Sequence, residues 1–93
     1  METKYRAHVI IKGRVQGVFF RMETQRTANL HGVLGWVKNR ADGTVEAVFE
    51  GERARVDAVI DWCRRGPRHA DVQGIEIREE PYAGEFEEFA ITR

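Results

Sequence analysis

Residues 11–21 read IKGRVQGVFFR. A run of β-favouring residues ends at Gly13, a second glycine follows at Gly17, and three apolar residues lead to Arg21. Glycine has no Cβ, so it adopts the positive-φ conformations of tight turns and lets a ligand approach the backbone closely. The stretch reads as the end of a strand, a connecting loop over 13–20 and the start of a helix. The first N–H groups of a helix have no intrahelical acceptor and carry the positive end of its dipole. Successive N–H groups of such a loop can converge on an anion. Arg21 adds a permanent charge on a planar fork that matches phosphate oxygens. The same spacing also suits a plain strand-to-helix turn with Arg21 in solvent. The dipole argues against the plain turn, because a cation in the first turn is disfavoured by about 0.3–1 kcal/mol. An anion held between Arg21 and the loop removes that objection. A Walker-type nucleotide loop is excluded: it requires Lys-Ser/Thr after its second glycine, and Val18-Phe19 stands there.

Outward from this stretch, residues 5–12 alternate loosely, with Ala7, Val9 and Ile11 against Arg6, His8 and Ile10, and predict a first strand. Residues 21–31 have helix-forming composition and stop at Gly32. Residues 35–40 and 44–50 read as two strands joined by the tight turn Ala41-Asp42-Gly43. Over 52–65, Val56, Val59, Ile60 and Cys63 lie at i, i+3, i+4 and i+7, which predicts a helix that Gly66-Pro67 ends. Residues 72–79 read as a fourth strand, 81–84 as a loop and 86–92 as a short last strand. The order is β-α-β-β-α-β with one terminal strand, the split βαβ pattern of ferredoxin-like folds. The expectation is an α+β sandwich: an antiparallel sheet of four to five strands with two helices on one face. That fold carries enzymes, RNA binders and metal carriers alike, so function has to be read from the site.

The chain has 93 residues, which suits one domain spanning 1–93. A domain of that size buries roughly 60–70% of the surface its unfolded chain exposes, enough for a core without staples. Its 15 basic and 15 acidic residues cancel. Nucleic-acid binders usually carry a basic excess, so no nucleic-acid partner is expected. A small anion needs only one local positive site. The single cysteine, Cys63, excludes an internal disulfide and a multi-cysteine metal site. The opening METKYRAH lacks the apolar core of a signal peptide. No apolar run approaches the ~18 residues of a membrane span. A cytoplasmic monomer without membrane contact is the default expectation. No internal repeat, linker or low-complexity segment is visible.

A second motif follows the first helix: Gly35-Trp36-Val37-Lys38-Asn39-Arg40-Ala41-Asp42-Gly43-Thr44-Val45. Asn39 falls near the end of the second strand. Its amide both donates and accepts, so it can hold a water in one orientation; it can equally hydrogen-bond its own turn. Taken together, the two motifs resemble those of the acylphosphatase family. Residues 11–21 match its first signature throughout. Gly35-Trp36-Val37-Lys38-Asn39, followed by Gly43, Val45 and Gly51, matches its second, and the likeness extends over essentially the whole chain. Many members carry Leu-Gly-Leu at the end of the first helix. Here His31-Gly32-Val33 stands there, with Leu30 one place early, which puts the packing of that helix end in question.

The resemblance implies hydrolysis of a carboxyl–phosphate anhydride to a carboxylate and inorganic phosphate, with no metal or other cofactor. By the same likeness, Arg21 and the backbone N–H groups of Val15, Gln16, Gly17, Val18, Phe19 and Phe20 hold the phosphate, and Asn39 positions the attacking water. The partners implied are a small acyl phosphate and inorganic phosphate as product and inhibitor. The substrate phosphate itself takes the water's proton, since the motifs contain no obvious general base. The chemistry is consistent with so small a set: the leaving carboxylate has a conjugate acid of pKa about 4, and phosphoryl transfer is mostly positioning and charge stabilisation.

Other residues carry weaker signals. His8, His31 and His69 are scattered without paired metal spacing, and His8 reads as a surface or sheet-edge residue. Cys63 falls on the apolar stripe of its helix and reads as core. Trp36, Trp62, Phe19 and Phe20 either frame a substrate pocket or fill the core, as aromatics of small domains usually do. Glu79, Glu80, Glu85, Glu87 and Glu88 read as a solvated face, and Arg14 as facing water. An RNA-recognition module of the same fold would need stacking aromatics and a basic sheet, whereas the third strand holds one aromatic and two acids. A soft-metal carrier would need Cys-x-x-Cys in the first loop, which is absent. A phosphate-sensing module that has lost catalysis is disfavoured by the presence of both Arg21 and Asn39.

Overall fold

The structure is a computed structural model that describes residues 3–93. Among these, the elements run β1 (Lys4–Arg14), α1 (Phe20–Leu30), β2 (Leu34–Asn39), β3 (Val45–Glu52), α2 (Arg53–Arg65), β4 (Asp71–Glu80) and β5 (Phe89–Ile91). The predicted order holds, and most boundaries move by one to three residues. Glu52 was expected in the second helix but is extended (φ −64°, ψ 136°), so β3 passes straight into α2.

The strands form one sheet in the order β4-β1-β3-β2-β5. β1 is antiparallel to β3 and β4, and β2 is antiparallel to β3. β5 makes the sheet mixed: it runs parallel to β2, pairing Gly35 with Phe89 and Val37 with Ile91. Direction explains this. The chain reverses after β4, which is itself opposed to β2, so a strand returning to the far edge must run with β2.

One face carries the core. Tyr5, Ala7, Val9 and Ile11 alternate along β1 and are all buried, as are Val45, Ala47 and Phe49 of β3 and Val37 of β2. They meet Phe20, Thr24 and Ala28 of α1 and Val56, Val59, Ile60 and Cys63 of α2. The rings of Phe49 and Phe89 stack at 5.6 Å, and Phe20 meets Trp62 at 5.5 Å. Cys63 is core, as its stripe predicted, and burial pushes its thiol up to about 12 despite a hydrogen bond with Thr24. The helix end at 31–33 is well closed. Val33 N–H donates to the Ala28 carbonyl and Gly32 N–H to that of Asn29, the paired bonds of a Schellman cap. Val33 is buried in the core while Leu30 is exposed, so the later residue takes the packing role.

The opposite face is polar but organised. His8 lies on an interior strand, not at a sheet edge, and its Nε2 meets Glu46 Oε2 at 2.6 Å. Arg6 donates to Glu50, Glu80 and Glu85, and Ala83 N–H donates to Glu50 Oε2 at 2.9 Å. Two of the acids expected to be merely solvated therefore bind Arg6: Glu80 at the end of β4, and Glu85 in the segment after it, which Ala83 also ties to this face. Trp36 is half-buried here, with Lys38 Nζ 5.6 Å from its ring centre, and is not part of the core.

Candidate active site

Topology alone brings the two motifs together. Val45 of β3 is paired with Ile11 of β1 on one side and Asn39 of β2 on the other. Paired residues share a face, so Asn39 lies in the same row as Ile11, on the helix-covered side, about 10 Å away across two strand spacings. β1 and β2 run the same way, so the loop after β1 and the end of β2 reach the same end of the sheet.

The loop is shaped by where its side chains go. At Lys12/Gly13 the register against β4 shifts, and Gly13 sits at φ 121°. A Cβ there would lie 2.2 Å from the Asp71 carbonyl oxygen, so only glycine fits this bulge. Val15, Val18 and Phe20 then turn inward and are buried. Gly17 (φ 73°) and Phe19 (φ 64°) adopt left-handed conformations between them. The backbone from 16 to 20 is thus pinned by apolar anchors. Among the described residues, none of the N–H groups from Gln16 to Met22 donates to a protein acceptor. Phe19 occupies the cap position of α1, and its side chain cannot accept a hydrogen bond, so the helix start is left uncapped.

The Gln16 side chain, which the sequence reading left without a role, turns away from this row of amides. Its Nε2 donates to the carbonyls of Arg40 (2.8 Å) and Thr44 (2.9 Å). Those carbonyls belong to the turn that follows Asn39. The turn is itself closed by Arg40 N–H to Thr44 O at 2.8 Å and by Asp42 Oδ1, which accepts from Thr44 N–H and its hydroxyl. The Asp42 carboxyl is held below its ordinary value, chiefly by the Thr44 hydroxyl. No sequence pattern marks Gln16 as a latch; the signal is spatial.

A cavity of about 340 Å³ opens where these parts meet, lined by Gly17, Phe19, Phe20, Arg21, Met22, Asn39 and Ile91. Arg21 and Asn39 therefore face one space. Arg21 is half-buried and has no ion-pair partner among the described residues, whereas its neighbour Glu23 approaches Arg26 at 3.7 Å. Asn39 Oδ1 is buried without a hydrogen-bond partner. A buried, unpaired acceptor costs about 1–3 kcal/mol, so this atom calls for a donor from the cavity. Val15, Gln16 and Val18 do not line this cavity: the valine side chains are buried, and that of Gln16 is engaged by the turn after Asn39. Met22 and Ile91 line the cavity and were not foreseen. Ile91 reaches it through the parallel pairing of β5, which sequence does not reveal. Arg14 is exposed, as expected. Among the described residues, no group of three or more His, Cys, Asp and Glu side chains is placed to hold a metal ion. Among the described residues, no helix is long and apolar enough to cross a membrane.

Comparison with known proteins gives a consistent result. The family profile described as Acylphosphatase matches residues 7–91. An acylphosphatase of Syntrophus aciditrophicus is 55% identical over 86 residues, covering 92% of this chain and 90% of that protein. One from Pelotomaculum thermopropionicum is 48% identical over 90 residues, covering 97% of this chain and 98% of that protein. Among solved structures, an acylphosphatase from Bacillus subtilis superposes with a TM-score of 0.92 at 32% identity, covering 96% of this chain and 99% of that one.

Proposed function

The chain belongs to the acylphosphatase family and is an enzyme of that class, and we propose that it cleaves acyl phosphates by clamping the phosphate and orienting one water. The N–H groups of 15–20 and the uncapped start of α1 receive the phosphate oxygens. Arg21 closes on them from the first turn. Asn39 Oδ1 accepts a hydrogen bond from a water and holds it facing phosphorus. The water oxygen forms the new P–O bond as the bond from phosphorus to the carboxylate oxygen breaks. The leaving carboxylate takes the electron pair, and the water's proton passes to a phosphate oxygen. The products are a carboxylate and inorganic phosphate.

The observation that carries this reading is the orphaned Asn39 Oδ1 in the same cavity as Arg21. A plain turn asparagine would have spent that oxygen on its own backbone. The account needs no general acid, because the leaving group departs as a stable anion with a conjugate acid of pKa about 4. Nor does it need a metal, since the loop amides, the helix start and Arg21 together offset the phosphate charge. We take the 93 residues to act as one domain, in the cytoplasm and as a monomer, with inorganic phosphate as competitive inhibitor and with no nucleic-acid partner.

A substrate comparison tests the leaving-group argument. Benzoyl phosphate should be hydrolysed readily without added metal, and a sugar phosphate, whose alkoxide leaves far less easily, weakly or not at all. Faster hydrolysis of the sugar phosphate contradicts the proposal.

A further inference from the structure

A second, largely apolar cavity of about 390 Å³ lies beside the first, lined by Val18, Phe19, Met22, Trp62 and Pro67 among others. Its polar lining residues are Glu23, Arg68 and His69, and Glu23 also approaches Arg26 at 3.7 Å. The two cavities meet at Phe19 and Met22, which line both. These side chains are 69% and 52% exposed, although both are large and apolar. Phe19 is also the one non-glycine residue with positive φ among those described. Such backbone strain in a bulky residue persists where the surroundings impose it and clusters at ligand sites. An exposed ring in a strained loop adds little to the core. It does offer a flat apolar surface at the mouth of the phosphate site.

In-line displacement adds a direction: the leaving group departs on the side of phosphorus opposite the water. Asn39, which holds the water, lines only the first cavity. We infer that the second cavity receives the acyl half of the substrate, and that the enzyme therefore favours acyl phosphates with aromatic or large apolar acyl groups over acetyl phosphate. This rests on the phosphate and water positions proposed above. Phe19 and Met22 form the shared wall, and Trp62 offers the ring surface against which a benzoyl group packs.

The probe is phenacylphosphonate, which is benzoyl phosphate with a methylene in place of the anhydride oxygen, titrated into the ¹⁵N-labelled wild-type protein beside a second titration with inorganic phosphate. Phosphate should shift the amide signals of residues 16–20 and leave the Trp62 indole signal in place; phenacylphosphonate should shift both. Trp36, on the other face of the sheet, is the internal reference. In kinetics, the kcat/KM ratio of benzoyl to acetyl phosphate should fall at least about fivefold in Trp62→Leu, a little under 1 kcal/mol of lost discrimination. Loop shifts without a Trp62 shift, or an unchanged ratio in folded Trp62→Leu, overturn the acyl site and leave the phosphate reading standing. No loop shift with either probe overturns that reading, and the acyl site with it.

Discussion

Asn39 is where function and stability pull apart. Its Oδ1 is buried and unpaired in the protein alone, a cost that a leucine of similar shape would remove. Asn39→Leu should therefore be as stable as the wild type, within about 1 kcal/mol, or more stable. Its turnover of acyl phosphate should fall at least about a hundredfold. Urea unfolding and steady-state kinetics on one preparation check both halves. Gly17 presents the complementary case. Nothing lies within 4 Å of the Cβ it lacks, so Gly17→Ala meets no clash and carries only the strain of φ 73°. A loss of about 1–2 kcal/mol is expected, with weaker phosphate inhibition because the methyl enters the row of amides. Gly13→Ala should cost more, since its Cβ overlaps the Asp71 carbonyl. The residue scale also marks what sequence could not tell. Arg21 and Asn39 were legible as candidates, and they line one cavity, but a phenylalanine with positive φ was not legible. Local propensity disfavours it, and only the buried anchors Val18 and Phe20 on either side impose it.

At the scale of elements, the candidate site lies where the β1–α1 loop meets the β2–β3 turn, and Gln16 ties the two together. Gln16→Ala removes two hydrogen bonds, though the Arg40 and Thr44 carbonyls each keep a backbone partner in the turn. It should cost about 1–2 kcal/mol of stability and raise the KM for acyl phosphate more than it lowers kcat, which kinetics at several substrate concentrations separates. On the opposite face, β1 and β3 are joined by His8 and Glu46. Burial alone would raise the Glu46 carboxyl, but the hydrogen bond from His8 and the charges of His8, Lys38 and Arg40 hold it below its ordinary 4.5. A lowered folded value means that stability is present above the unfolded value and lost as pH falls through the folded one. Urea midpoints measured between about pH 7 and pH 3 should therefore drop more steeply for the wild type than for Glu46→Gln. Most elements were legible because period and punctuation agree: alternation in β1 and β3, the apolar stripe of α2, and glycines at the ends. β5 was legible as a strand but not in direction. Three residues set no register of their own, and only the reversal of the chain after β4 makes them parallel to β2.

For the whole molecule, the sheet order β4-β1-β3-β2-β5 is what turns two distant motifs into one site. Composition located neither; its zero net charge argued only against a polyanion as the main partner and left room for a small anion. The resemblance of two motifs then named a chemistry, and the three-stranded row Ile11–Val45–Asn39 puts Asn39 on the helix-covered side, in line with the end of β1. The polar face and its Arg6 network, invisible to periodicity, close the far side of the sheet without entering the site. The central claim is that Arg21 and the loop hold the phosphate while Asn39 holds the water. It is tested most directly by measuring benzoyl phosphate turnover and inhibition by inorganic phosphate in wild type, Arg21→Ala and Asn39→Ala. Both variants should stay folded and lose turnover by at least about a hundredfold, with phosphate inhibition kept in Asn39→Ala and lost in Arg21→Ala. Turnover within about twofold of wild type in either variant, or undiminished phosphate inhibition in Arg21→Ala, contradicts the account.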